Sequence, residues 1–599
     1  MELPKLRKRP VERDMISAFG GIQRTASVPE GKFADMMNLT SDHAPVMAVR
    51  SPRRIETLSG SVTGMAGSDD LYYVVQGKMY RKSYPTGTIS QIMSGLSTTL
   101  DTEIVLMSGY VLALGLGQHQ VVKMTGGLAG TQEDLAKSVS GQFSYSPCTL
   151  DGTVIQPEKG STPPAAPADG SYWVDTSHTP NVLKQWAASD GIWTSVSTAY
   201  VKIGQAGLGN SFSVYDGVDI SSDGDFGGLL TKADGAARYS SSFVVMDKST
   251  DFLIVSGLCD EAGVSSVNTD IKREIPSIRY AVESGNRVWA CSVDGHEIYA
   301  SKLGDPYNWN CYLGVSTDSY AATVGSPGNF TGAAAYGGTV YFFKENCIIQ
   351  VRGTQPSNFQ VNEIPCQGVQ KGSARSLCVI DGMLFYKSRT GVCRYDGSLP
   401  VEIAEDLGEG YYHSAAAGTA NKKYYLSMLD AQDQPHLFVY DLRRGCWHKE
   451  DGLRMKHCAS MGGELFAAAI PEGGAESLVT LNYDMELHSG DLAGVREKQI
   501  PFLAETGDWG VDSPDQKYVS QVQLRCELDE GAQLCMDIEY DSDGNWHRVA
   551  DMTLSSKRTF TLPITLRRCD HFRMRLSGAG GCRVFSIART LERGGMTGW

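Results

Sequence analysis

At 599 residues, 41% hydrophobic and 20% charged, the chain is too long for one core and is expected to divide into two to four domains. Its formal net charge of −14 excludes binding nucleic acid by charge over the whole surface. Such a charge can still line a passage for DNA without holding it, because like charge repels phosphate. No run of 18 apolar residues occurs, so no membrane-spanning helix is expected. The 14 cysteines contain no Cys-x-x-Cys pair, which excludes zinc ribbons and thioredoxin-type sites and leaves reduced, buried thiols as the expectation.

Abundant glycine turns between aromatic and β-branched runs predict a mainly β protein. Met1–Arg13 is basic and lacks the apolar stretch of a secretory signal; it reads as a solvated arm, or one touching an acidic partner or DNA. Ala18–Arg54 opens on Phe19-Gly20-Gly21 and turns at Pro29-Glu30-Gly31. Phe33, Met36 and Leu39 are spaced as the inner face of a short helix or irregular segment. From Thr57 to Met124 short strands pair about Gly77 and Ser108-Gly109, the spacing of propeller blades or a sandwich.

Gly126–Gly204 breaks this rhythm. Thr131–Val139 is the best helix candidate, and Pro157–Gly170 reads as a Pro/Ala/Gly linker. A small β insert follows, at about 170–204, carrying Tyr172, Trp173, Trp186 and Trp193. These aromatics read either as a surface contact for glycan or as the small module's own core, the preferred reading, since so short a module has little else to bury. Asp216, Asp219, Asp223 and Asp225 lack EF-hand spacing and read as a solvated loop.

Strands resume at Phe243–Ser256 and Tyr280–Ser292 and lead into Glu297–Gly353, where strand-like runs alternate with Gly/Pro turns as in a propeller blade. The same pattern repeats to Asn482, with no strict WD or kelch repeat. Pro501–Arg593 holds six or more alternating strands, which predicts a sandwich or jelly roll. The expected architecture is an interrupted β-propeller with an inserted β module and a C-terminal β-sandwich. Its divisions are residues 1–56 (arm and platform), 57–485 (propeller, with an insertion at 126–240) and 486–599 (sandwich).

Several of these stretches together resemble tailed-bacteriophage tail proteins of the nozzle, or packaged-DNA stabilisation, type (tail tubular protein B-like). They are Phe19-Gly20-Gly21, Asn38-Leu39, SKLGDPYNW at Ser301–Trp309, the Phe-Phe-Lys-Glu run within Gly332–Gly353, GVQKGS at Gly368–Ser373 and YDLRRGCW at Tyr440–Trp447. The sandwich stretch Arg567-Arg568-Cys569-Asp570 belongs with them. The turn Pro29-Glu30-Gly31-Lys32 departs from the family's order by placing Glu before Gly. The resemblance implies a homohexameric ring in the virion tail below a tail adaptor or portal-proximal protein. Tail fibre or needle proteins and the host envelope are further partners, with transient contact to double-stranded DNA in the lumen.

No catalytic, cofactor or metal set is expected. Glycosidase chemistry needs two carboxylates about 5–10 Å apart across one bond. Glu274, Glu283, Asp294, Glu297, Asp305, Asp318 and Glu345 are available, but their positions at turns make solvation the simpler explanation. Nucleophile-elbow, Walker A and HExxH patterns are absent. The alternatives kept beside a structural role are a glycan-binding tail protein and, below it, a glycan-cleaving enzyme.

Overall fold

The computed structural model describes residues 11–84, 86–221, 243–471, 474–482, 495–511, 516–553, 556–564 and 567–593. The basic residues of the N-terminal arm before Val11, the final Gly594–Trp599, and Asp223 and Asp225 lie outside them. The fold is mainly β and β-propeller-like: antiparallel strands dominate, and the helical content among the described residues is four single-turn 3-10 segments. The chain forms two compact units, 1–100 with 343–348 and 365–599, and 101–342 with 349–364.

The first unit contains four-stranded meanders, the element from which propellers are built. One runs from Val62–Gly67 to Ile89–Met93, another from Cys378–Ile380 to Val401–Glu402, and a third from Tyr412–Ala420 to Cys446–Glu450. The last, Arg454–Met461, Glu464–Ile470 and Ser477–Thr480, takes its fourth strand from Arg54–Thr57, with Ser477 opposite Thr57 and Thr480 opposite Arg54. A strand that precedes the first meander thus completes the last one.

The near-continuous apolar run of Glu464–Ile470 follows from burial on both faces. Leu465, Ala467 and Ala469 pack with Tyr425, Leu437 and Val439 of the preceding meander. Phe466 and Ala468 pack with Val62, Leu71 and Tyr73 of the first. Tight hairpins join these strands: Gln76-Gly77 (φ 50° and 71°) and Asp381-Gly382 (φ 45° and 76°) place two left-handed residues in succession, as the twist of a two-residue hairpin requires.

The same unit holds the sandwich. One sheet runs Leu39–Thr40, Met47–Val49, Cys582–Arg593, Lys517–Leu528, Arg558–Leu562, and Val11–Ile16 pairs along Cys582–Arg593. The other runs Phe33–Met37, Pro501–Thr506, Phe572–Ala579, Gln533–Tyr540, His547–Met552. Val519, Val522, Leu524 and Ile587 pack with Met536, Ile538, Phe572 and Met574 between them. The N-terminal segment expected to stand apart as arm and platform therefore supplies strands to both sheets. Phe33, Met36 and Leu39, expected on a short helix or irregular segment, are buried on strands.

In the second unit two meanders, Glu103–Met107 to Leu128–Asp134 and Ile278–Ser284 to Tyr320–Thr323, flank an insertion. Strands replace the helix expected at Thr131–Val139: Leu128–Asp134 ends one meander and Lys137–Gly141 begins the insertion, so the apolar spacing of Leu135 and Val139 spans a connection rather than a helical face. The insertion extends from Lys137 to Arg273, beyond the 126–240 read from the broken rhythm. Its strands close on themselves. Lys137–Gly141 continues into Ser144–Cys148, and these pair with Thr269–Arg273 and Gly263–Val264 on one side. Tyr200–Gly204, Phe252–Ser256, Phe243–Ser249 and Gly217–Ser221 complete the circuit. The result, among the described residues, is a small barrel of eight strands filled by Phe143, Val201, Ile203, Val218, Val245, Leu253 and Ile271. Within it, between Cys148 and Tyr200, a four-stranded sheet is nested: Glu158–Gly160, Tyr172–Asp175, Val182–Ala187 and Ile192–Ser195.

Along the chain, a further meander runs from Gly332–Tyr336 through Thr339–Lys344 and Cys347–Arg352 to Gln360–Pro365.

Candidate functional site

The motif residues of the N-terminal segment meet at one buried joint in the first unit. Phe19 stacks on Phe33 with ring centroids 6.0 Å apart. Gly21 has φ +78°, and a Cβ there would lie 2.3 Å from the Trp447 carbonyl oxygen. The Ile22 N–H donates to that same carbonyl at 2.8 Å. Glycine is needed because the segment lies directly on the strand Cys446–Glu450.

Asn38 is fully buried with φ 57°, a conformation Asn tolerates better than other side chains. Its N–H donates to the Lys449 carbonyl at 2.9 Å and its Nδ2 to the Pro501 carbonyl at 2.7 Å. Its Oδ1 accepts from Arg50 Nε at 3.0 Å and from the Asp451 N–H at 2.9 Å. One side chain thereby ties a propeller-like strand, a sandwich strand and the N-terminal segment together.

Around it Arg50 Nη1 pairs with Glu497 at 2.6 Å and Arg50 Nη2 with Asp451 at 3.3 Å. Arg53 pairs with Glu450 at 2.6 Å and Asp451 at 2.7 Å. Burial opposes the charge on Arg50, but the hydrogen bond to Glu497 and the charges of Glu450 and Asp451 outweigh it and hold the guanidinium firmly protonated.

Ser41, His448 and Asp441 lie nearby in an arrangement that superficially suggests a nucleophile. Ser41 Oγ donates to Asp441 Oδ2 at 2.8 Å and lies 2.9 Å from His448 Nε2. The serine proton is thus committed to the aspartate, so His448 donates to Ser41 instead of serving as its base. Among the described residues Nδ1 of His448 has no partner, and all three residues are at most 6% exposed. Buried in this way, the trio fastens the N-terminal segment to the strand Cys446–Glu450.

The GDPYNWN motif forms a second joint, in the second unit. Asp216, read from the sequence as part of a solvated loop, is 1% exposed. It accepts from Arg273 Nη1 at 2.7 Å, Asn308 Nδ2 at 3.1 Å and the Ser213 N–H at 2.9 Å. Asn308 Oδ1 accepts from the Gly217 N–H at 3.0 Å, and Arg273 Nε donates to the Leu135 carbonyl at 3.0 Å. The motif fastens the inserted barrel to its flanking meanders. The sequence marked the motif but gave no sign of its partners, because Asp216 and Arg273 are distant along the chain.

Four of the carboxylates that a glycosidase reading would use are occupied by backbone or side-chain donors of loops and turns, and Glu297, on the strand Glu297–Ala300, accepts from the Tyr299 hydroxyl. Asp318 Oδ2 accepts from the N–H groups of Leu313, Gly314 and Val315 at 2.6, 2.6 and 3.0 Å. Asp305 accepts from Asn308 Nδ2 at 2.6 Å and the Tyr307 N–H at 2.9 Å. Glu283 accepts from the Asn286 N–H at 2.9 Å and Glu345 from the Lys371 N–H at 3.1 Å. Among the described residues no group of His, Cys, Asp and Glu has the geometry to hold a metal ion. Of the 14 cysteines, all free, 11 are buried and three are half-buried.

The aromatic candidates lie on the nested sheet. Its core is on one face, where Val174 and Leu183 pack with Ile155 and Leu258, and Tyr172 rests against them. Alternation along the strands puts Trp173, Trp186 and Trp193 on the other face. Trp173 is 4% exposed and its Nε1 donates to the Gly160 carbonyl at 3.0 Å. Trp186 and Trp193 are cross-strand partners, half-buried, with ring centroids 5.5 Å apart. The own-core reading thus fits Trp173 by burial, while Trp186 and Trp193 lie opposite the module's aliphatic core.

No family model matches the sequence and no curated protein matches it. Among solved structures, the chain is similar to Kluyveromyces lactis Hsv2 at 10% identity, covering 39% of this chain and 68% of that one, with a TM-score of 0.23. A chain of a mitotic checkpoint complex matches at 9% identity over 71% of this chain and 90% of its own, with a TM-score of 0.27. An exo-beta-1,3-galactanase from Phanerochaete chrysosporium matches at 10% identity over 52% of this chain and 94% of its own, with a TM-score of 0.20. Likeness at this level carries no argument about function.

Proposed function

We propose that the chain is a structural protein of a tailed-bacteriophage virion. Several copies form the tail nozzle ring that closes the DNA channel and conducts the genome during ejection. The observation that carries this reading is the role of the residues behind the family resemblance. Phe19-Gly20-Gly21, Asn38, the Asp305–Asn308 turn and Trp447 are buried joints between strands far apart in sequence, which is what a load-bearing wall element requires. The turn-bound carboxylates and the enclosed Ser41–His448–Asp441 trio favour scaffold over catalyst. Ring closure is heterologous, so each copy presents two different surfaces, which insertions such as the Lys137–Arg273 barrel can supply. The excess of acidic residues keeps DNA mobile against the wall by repelling phosphate.

Immunogold labelling of virions with antibody to the chain tests the assignment. Label is expected at the tail, in stoichiometric amount by mass spectrometry of purified particles. Absence of the chain from virions would sink the reading.

A further inference from the structure

We propose that the outer face of the nested sheet, built by Trp173, Trp186 and Trp193, binds an uncharged pyranose segment of a polysaccharide. This goes beyond the tail reading and does not depend on it.

Three observations lead there. First, the sheet's aliphatic core, Val174 and Leu183, is on the opposite face, so Trp186 and Trp193 are not needed to fill it. Trp173 is packed between Lys184, whose Nζ stands 5.0 Å from its ring centroid, and Trp193, whose centroid is 5.5 Å away. It serves as a fixed base for Trp193, which in turn packs against Trp186 with ring centroids 5.5 Å apart. Second, Nε1 of Trp173 is used by the Gly160 carbonyl, whereas among the described residues Trp186 and Trp193 make ring contacts but no side-chain hydrogen bond. Two indole N–H donors therefore remain for a ligand at the edge of an aromatic surface, the amphipathic pattern that suits a sugar's C–H face and hydroxyls. Third, among the described residues no cation on this face is left unpaired, and Glu158, in register with Trp173, adds an exposed carboxylate to it. Asp175 Oδ2 accepts from Lys184 Nζ at 2.8 Å and lies 3.4 Å from His178 Nε2, while Ser177 Oγ donates to Asp175 Oδ1 at 2.6 Å.

Size and charge then select the occupant. Four strands of three to six residues give a face of about 300 Å², from a strand spacing of about 4.8 Å and a rise of about 3.3 Å per residue. A stable protein interface needs about 800 Å² on each partner, so a protein surface is too large for it. A polyanion or anionic lipid needs unpaired cations, and Lys184 is already paired. A neutral hexose or N-acetylhexosamine chain matches both limits.

The test uses the full-length protein on an array of neutral and anionic bacterial surface polysaccharides. Retention is expected on neutral-pyranose polymers and should persist from low to high salt. Trp186→Ala and Trp193→Ala should each weaken it about tenfold, the loss of one stacking face, while Trp186→Phe retains most of it. Because either alanine variant could disturb the sheet, N-bromosuccinimide oxidation of the wild-type protein gives an independent readout. Bound polysaccharide should protect Trp186 and Trp193, as read by peptide mass spectrometry. The proposal is overturned if the wild type retains no polysaccharide on the array. Binding only to anionic polymers and lost in salt, or polysaccharide that leaves both tryptophans equally oxidisable, would overturn it as well.

Discussion

Arg50→Ala is expected to destabilise the first unit by about 2–3 kcal/mol, because its buried charge-assisted bond to Glu497 is lost while Arg53 keeps Glu450 and Asp451 paired. The Arg50 side chain is 5% exposed and faces Glu450, Asp451 and Glu497, whose side chains are 9%, 31% and 22% exposed. Truncation also removes the donor to Asn38 Oδ1, so the loss spreads to the joint between meander and sandwich. Thermal unfolding followed by tryptophan fluorescence reads the effect. Lys422→Ala is the control: the Lys422–Asp381 pair, at 2.8 Å, has side chains 57% and 47% exposed, and its removal should cost under about 1 kcal/mol. Equal shifts for the two variants would show that the Arg50 cluster is only a surface feature. A double-mutant cycle of Arg50→Ala with Glu497→Gln should return a coupling of about 0.5–3 kcal/mol, because the two share one network.

Acid should loosen the same joint before it protonates the carboxylates. Burial first, and then the neighbouring Lys423 charge, push His448 down to about 4 from 6.5, with Asp441 and Asp42 opposing. The unfolded chain therefore binds a proton between pH 6.5 and 4 that the folded chain does not. Stability from the neutral imidazole is complete above pH 6.5 and is lost as pH falls towards 4, by about 3 kcal/mol in all. His457 is pushed well below its ordinary value, chiefly by burial, and adds a second proton over this range. The carboxyls of Asp42 and Asp441 lie below their ordinary range: burial works against their ionised form, and the bonds from Lys423 and Ser41 prevail. Their contribution is lost only on further acidification. Unfolding curves between pH 7 and 4.5 should thus show uptake of about two protons in the wild type and about one in His448→Gln. An unchanged slope in the variant would remove His448 from the acid response.

Local patterns were legible in the sequence where one residue or one turn decides them. The hairpins at Gln76-Gly77 and Ser108-Gly109 could be read because glycine after a left-handed residue leaves few alternatives. The alternation of Lys517–Leu528 gave the sandwich, since half-buried strands carry period two. Pairing between distant strands was not legible. Nothing in Val11–Ile16 says that it lies along Cys582–Arg593, and nothing near Asp216 says that Arg273 and Asn308 will enclose it. Asp216 looked solvated because a charged residue in a Gly/Ser-rich stretch is usually at the surface, and only tertiary structure supplies the buried partner that reverses the expectation. For the tryptophans, the sequence offered a core or a contact surface; the strand register places all three on one face, and burial separates Trp173 from the other two.

Negative-stain electron microscopy of the purified full-length protein tests the structural role most directly. Closed rings with a central channel, matching in diameter a ring at the tail of the intact virion, are the expected result. A monodisperse monomer at all concentrations, together with virions whose tails lack such a ring, would contradict it.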